Sequence, residues 1–121
     1  MFESIVVRKE GDLAIVTLRG EFIGGEETDQ LRDTLKKLPA EGIKKVIIDL
    51  GKVSYLNSTA LGVLISAHAT FTKAGGKIVL ANLTKGIENI FIITKLTLIF
   101  DIYSSVDEAR KALIEQQEES N

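Results

Sequence analysis

The chain has 121 residues, which suits one domain of ordinary size with one core. With 45% apolar and 26% charged residues it has the composition of a globular protein, and a net charge of -2 leaves no basic excess to hold a nucleic-acid backbone. The lack of cysteine and the single histidine, His68, exclude disulfides, thiolate nucleophiles and a multi-histidine metal site within one chain.

The N-terminal sequence MFESIVVRKEGD has no basic leader and only a short apolar stretch, so it does not read as a signal peptide. No apolar run reaches the ~18 to 20 residues of a membrane span. The longest candidate, residues 87–102, is interrupted by Glu88, Asn89, Lys95 and Asp101. A cytoplasmic location without a membrane span is the default expectation.

Residues 4–8 and 13–18 are short apolar runs on either side of Glu10-Gly11-Asp12, which predicts a β-hairpin. The pattern breaks at residues 20–25. From Glu26 the period changes: Leu31, Leu35 and Leu38 follow helical spacing. Glu26, Glu27 and Asp29 at the start of this helix, and Lys36 and Lys37 at its end, complement its dipole, and Pro39 ends it.

Val46-Ile47-Ile48-Asp49-Leu50 is a continuous apolar run of the kind a central strand buried on both faces requires. Residues 51–55 read as its exit loop. A helix over 58–73 follows, with Leu61, Leu64, Ile65, His68 and Phe71 near one face and Gly75-Gly76 beyond its end. Residues 77–81 predict another buried strand, 85–93 a short helix and 97–102 a last short strand. Ser105 and Glu108 have capping-box spacing at the start of a final helix, whose Val106, Ala109, Leu113 and Ile114 are expected to face the core. The polar residues 116–121 are expected to fray.

The order β-β-α-β-α-β-α-β-α predicts an α/β fold: one domain with a mixed, mostly parallel sheet of about five strands and about four helices. Its core should cover about residues 4–114, with a polar tail at 115–121.

In such sheets sites gather where strands end and helices begin, here residues 20–25 and 53–59. Asn57, Ser58 and Thr59 are three polar residues in a row between apolar runs. Ser58 at a helix start reads first as a cap, but one cap needs only one of the three. A nucleophilic serine needs a nearby base. His68 lies ten residues further on, ~15 Å along a helix at its usual rise, whereas proton transfer needs contact at about 3 Å. That separation excludes a Ser58–His68 pair and leaves His68 as a partly buried helix residue. Gly24-Gly25 carries neither a Walker lysine nor a dinucleotide fingerprint, and Gly75-Gly76 sits at the wrong end of a helix for phosphate. Both read as turns. The carboxylates Glu26, Glu27 and Asp29 read as helix-start charges, not ligands or catalytic acids.

Val53-Ser54-Tyr55-Leu56-Asn57-Ser58-Thr59-Ala60-Leu61-Gly62-Val63-Leu64 resembles the signature of STAS domains and, within them, of the bacterial anti-sigma factor antagonists. Leu18-Arg19-Gly20-Glu21-Phe22, Lys45-Val46-Ile47-Ile48-Asp49-Leu50 and Lys73-Ala74-Gly75-Gly76-Lys77-Ile78-Val79-Leu80 resemble the flanking segments of that family in order. The resemblance spans about residues 5–113. It implies a non-enzymatic regulator without cofactor or metal. Its unphosphorylated form would bind an anti-sigma factor of the serine-protein kinase type and so release a sigma factor.

The resemblance further implies Ser58 as the phosphate acceptor, with Thr59 the runner-up, and a separate phosphatase that reverses the modification. It places the partner-binding surface at Asn57, Ser58, Thr59, Glu21 and Leu61. Three positions depart from the family pattern: Asn57 replaces an aspartate, Ala60 a glycine, and Ile23 an acidic residue. A STAS scaffold subunit of a larger signalling or transport assembly, working without phosphorylation, is the first alternative. A small nucleotide-binding protein is the second.

Overall fold

A computed structural model describes residues 4–119. Strands β1 (Ile5–Glu10) and β2 (Leu13–Phe22) form the expected antiparallel hairpin. Helix α1 (Glu26–Lys37) and a 3-10 turn at Pro39–Glu41 lead to β3 (Lys45–Leu56). Then come α2 (Ser58–Lys73), β4 (Lys77–Ala81), α3 (Lys85–Ile93), a 3-10 turn at Leu96–Leu98, β5 (Ile102–Tyr103) and α4 (Val106–Glu119).

The five strands lie in the order β1-β2-β3-β4-β5, and every pair after the first is parallel. The sheet therefore grows in one direction from β2 to β5. Right-handed crossovers then carry α1, α2 and α3 over the same face. Alternate strand residues split the core accordingly. Val16, Leu18, Ile48, Leu50 and Leu80 pack with Leu31, Leu64 and Phe91 beneath these three helices. On the other face Ile15, Ile47, Val79 and Ala81 pack with Ala109 and Leu113 of α4. Helices on both sides explain why Val46, Ile47 and Ile48 are all fully buried, as their unbroken apolar run requires.

Strands β2 and β3 run longer than their composition predicts. The break placed at residues 20–25 begins only after Phe22, and the supposed exit loop at 51–55 is strand. Register shifts between Thr17 and Arg19 and between Gly20 and Glu21 put bulges in the β2–β3 pair. Bulges interrupt the two-residue period by which strands are read. Beyond them Val53 and Leu56 still face inward while Lys52, Ser54 and Tyr55 are exposed.

The run at 97–102 is not one strand. Lys95, at φ 63, leaves α3 and starts the 3-10 turn, Leu98 is 83% exposed, and only Ile102 and Tyr103 pair with β4. On α2 the buried face takes in Ala60 and Val63, while Ile65 turns to solvent. On α4 Ile114 is also exposed. Ser105 caps α4 by accepting from the Glu108 N–H at 3.0 Å. The Glu108 carboxylate takes the Ser104 hydroxyl instead of closing the box. The α4 backbone runs on to Glu119, into the segment expected to fray, and residues 120 and 121 lie outside the described residues. Among the described residues no helix is long and apolar enough to cross a membrane.

Candidate functional site

The ends of β2 and β3 lie side by side, with Phe22 in register with Leu56. The Asn57 N–H donates to the Phe22 carbonyl at 3.0 Å, so the first residues after the two strands are bonded together. The chain leaving β2 passes through residues 23–25 into α1, and the chain leaving β3 passes through Asn57 into α2. Both candidate loops therefore meet at the carboxyl edge of the sheet, where an open α/β sheet presents its sites.

Asn57, not Ser58, caps α2. Its backbone is extended (φ -91, ψ -179) and its Oδ1 accepts from the Ala60 N–H at 3.0 Å. The cap carbonyl accepts the first helical bond, from the Leu61 N–H at 3.0 Å. Ser58 and Thr59 are thus the first two residues of the helix. Helix geometry leaves their own N–H groups without intrahelical acceptors. Both side chains are exposed, and neither hydroxyl makes a hydrogen bond among the described residues. Sequence reasoning gave the cap to Ser58. An asparagine caps as well as a serine does, so only the backbone dihedrals separate the two.

A second device holds the β2–α1 loop against this helix start. Gly24 has φ +87, and a Cβ there would touch Asn57 Nδ2 and the Thr59 Cβ at 3.5 Å. Residues with side chains seldom occupy that backbone region. The loop is clasped from below by two side chains of α1. The Glu27 carboxylate accepts from the N–H groups of Ile23 (3.1 Å), Gly25 (3.1 Å) and Thr28 (2.9 Å), and from the Thr28 hydroxyl at 2.5 Å. Thr28, fully buried, accepts from the Gly24 N–H at 2.9 Å. The Thr28 hydroxyl and the Ile23 and Thr28 N–H groups hold the Glu27 carboxyl below its ordinary range, against the desolvation that would raise it. Glu27 thus does more than complement a helix dipole: it shapes the loop beside Ser58. The Glu-Glu-Thr run was visible in the sequence, but the clasp depends on the turn at residues 23–25.

Around Ser58 the surface is mixed. Glu21 is exposed and lies in register with Tyr55, which is 47% exposed. Ile23 is 54% exposed. Asn57 and Thr59 border Gly24 of the β2–α1 loop, and the exposed Ile23 precedes it in the same loop. Leu61 is different. It is only 8% exposed and packs in the core under α2, because it falls on the inward side of the helix. It supports the helix and offers little surface to a partner.

His68 is partly buried further along α2, its ring tilted 58° against that of Phe100 with centroids 5.0 Å apart, and its Nδ1 makes no hydrogen bond. It is a packing residue of the α2 face. Among the described residues no group of three or more His, Cys, Asp and Glu could hold a metal ion.

Comparison with known proteins identifies the family and the fold. Residues 4–109 match the model of the STAS domain family. The anti-sigma-B factor antagonist of Bacillus subtilis is 36% identical over 97 residues, covering 80% of this chain and 86% of that protein. Among solved structures, an anti-sigma factor antagonist from Mycobacterium paratuberculosis superposes with a TM-score of 0.79 at 21% identity, over 89% of this chain and 91% of that one. The Bacillus cell fate determinant SpoIIAA in its phosphorylated form gives 0.73 at 15% identity, over 90% of this chain and 98% of that one.

Proposed function

The chain belongs to the STAS domain family, and from that premise we propose that it is an anti-sigma factor antagonist switched by phosphorylation of Ser58. In its unphosphorylated form it binds an anti-sigma factor of the serine-kinase type through the surface around Asn57, Ser58, Thr59 and Glu21, and so releases a sigma factor. It acts by binding, without a cofactor. The kinase transfers phosphate to Ser58, and a phosphatase removes it.

The observation that carries this reading is the spare hydroxyl. Asn57 supplies the cap, so the Ser58 hydroxyl is exposed and has no structural bond to lose. A phosphate there adds about -1.5 to -2 charge. It would meet the free N–H groups of the helix start, and the first turn of α2 contains no acidic side chain to repel it. The fold tolerates the modification. The partner, docked against Ile23 and Tyr55 beside it, meets a bulky dianion where a hydroxyl had been. That one relative of the same fold has been solved in a phosphorylated form supports the reading.

The test is co-purification from the native cell with wild-type, Ser58→Ala and Ser58→Asp chains, together with phosphorylation by the captured partner in the presence of ATP. One partner retained by wild type and Ser58→Ala but lost by Ser58→Asp is the expected result. A stoichiometrically phosphorylated chain that still binds would sink the proposal. The uncharged Asn57, in place of the family's aspartate, favours a second reading: a scaffold subunit that docks through the same surface and is never phosphorylated. Binding without phosphate transfer by that partner would select it.

A further inference from the structure

A cleft between α1 and α2 begins beside the switch, at Thr59, and runs along α2 away from it. The cleft encloses about 310 Å³, at the lower end of the ~300–1,000 Å³ typical of small-ligand sites. Its floor is apolar: Leu35 from α1, and Val63, Ala67 and Phe71 from α2. At its mouth stand two cations one helical turn apart on α1, Arg32 and Lys36. Arg32 gives Nη1 to Asp29 at 2.8 Å, which leaves its remaining donors unspent. Lys36 has no ion pair among the described residues. Among the described residues no carboxylate lines the cleft. Thr59 and Ser66 add hydroxyls along the α2 wall, whereas the Thr70 hydroxyl is occupied by the Ser66 carbonyl at 3.1 Å.

Gly62 decides how the cleft is read. It lines the space from the interior of α2, and a Cβ built on it meets nothing within 4 Å. A glycine inside a helix costs about 1 kcal/mol relative to alanine. Here no neighbour in the fold requires the missing side chain. Its absence widens the cleft.

We propose that the α1–α2 cleft binds a small amphiphilic anion: a carboxylate on a short aliphatic chain. The head group lies against Lys36 and Arg32, and the chain covers Leu35, Val63 and Phe71. An apolar floor with cations confined to one rim favours that class over a neutral or cationic one.

Sodium octanoate is the probe, titrated into the ¹⁵N-labelled full chain, with 1-octanol as its uncharged counterpart. The amides of Thr59, Gly62, Ser66 and Thr70 should shift and saturate with a Kd of about 1 mM or tighter. Gly62→Leu fills the cleft while leaving both cations in place, and should weaken octanoate binding by about tenfold or more. Lys36→Glu should weaken it similarly. Leucine is a better helix former than glycine, so the plugged chain should stay folded, and its spectral dispersion checks this. Ser66→Leu plugs the cleft one turn further along α2, as a second variant. Octanol binding as tightly as octanoate overturns the anionic class. Shifts that fail to saturate, cluster elsewhere or persist in both plugged variants overturn the site.

Discussion

Replacing Asn57 with alanine removes the acceptor of the Ala60 N–H. Loss of such a cap should lower stability by about 1 kcal/mol. Ser58→Ala removes a hydroxyl that bonds to nothing, and should stay within about 0.5 kcal/mol of wild type. Urea midpoints measured side by side check both, and the reverse order would return the cap to Ser58. Gly24→Ala forces a side chain into the left-handed region at φ +87, a change worth about 1–2 kcal/mol. It should also disturb partner binding, because Gly24 rests on Asn57 and Thr59.

Glu27 ties loop geometry to pH. Its carboxyl is held below the ordinary value of 4.5, chiefly by the Thr28 hydroxyl. The unfolded chain therefore binds more protons just below pH 4.5, and stability rises with pH through that window. The contribution is complete at neutral pH and is lost as pH falls through the folded-state value. Glu10 is also lowered, first by its hydrogen bond from Arg110. Glu27→Gln should thus flatten the stability–pH slope below pH 4.5 only in part, and Arg110→Met should remove the part that comes from Glu10. Denaturant midpoints over a pH series separate the two.

At the scale of elements, Phe100 fastens the segment after α3 to the rest of the fold. It is buried, packs at a tilt against His68 of α2 and meets Phe91 of α3 edge-on at 6.0 Å. Phe100→Ala should lower stability by about 3–5 kcal/mol, read by thermal or urea unfolding. The run from Thr97 to Ile102 reads as a strand because its residues favour strands, yet such short apolar runs are ambiguous by pattern alone. Residues 96–98 form a 3-10 turn instead, and only Ile102 and Tyr103 pair with Leu80 and Ala81 of β4.

Elements whose apolar period is unbroken, such as α1 and the start of β3, were legible for the opposite reason: one face, or both, had to be buried wherever they went. The bulged ends of β2 and β3 were not legible, since their exposed residues alternate with Val53 and Leu56 only after a shifted register. The same limit applied to the site. The Asn57-Ser58-Thr59 run marked its place, but dividing the cap from the spare hydroxyls needed the backbone. That the β2–α1 loop meets the start of α2 became visible only through the pairing of Phe22 with Leu56 and the contact of Gly24 with Asn57 and Thr59.

Over the whole molecule the design is one-sided. Three helices share one face of the sheet and α4 covers the other. The candidate site sits at the strand ends, clear of both cores, so modification there need not disturb packing. Ser58→Asp should keep the wild-type circular dichroism spectrum. Its stability should be equal to wild type or higher by about 0.3–1 kcal/mol, from the favourable charge at the helix start.

The bond from the Asn57 N–H to the Phe22 carbonyl joins the two loops into one mechanical unit. The amides of Gly24, Gly25 and Asn57 are all held by bonds within this small arch. A single local opening should therefore expose all three to solvent deuterium at a common rate. A protein clamped across the arch would slow their exchange together, so Asn57, half-buried between the loops, becomes a built-in gauge of whether the site is engaged.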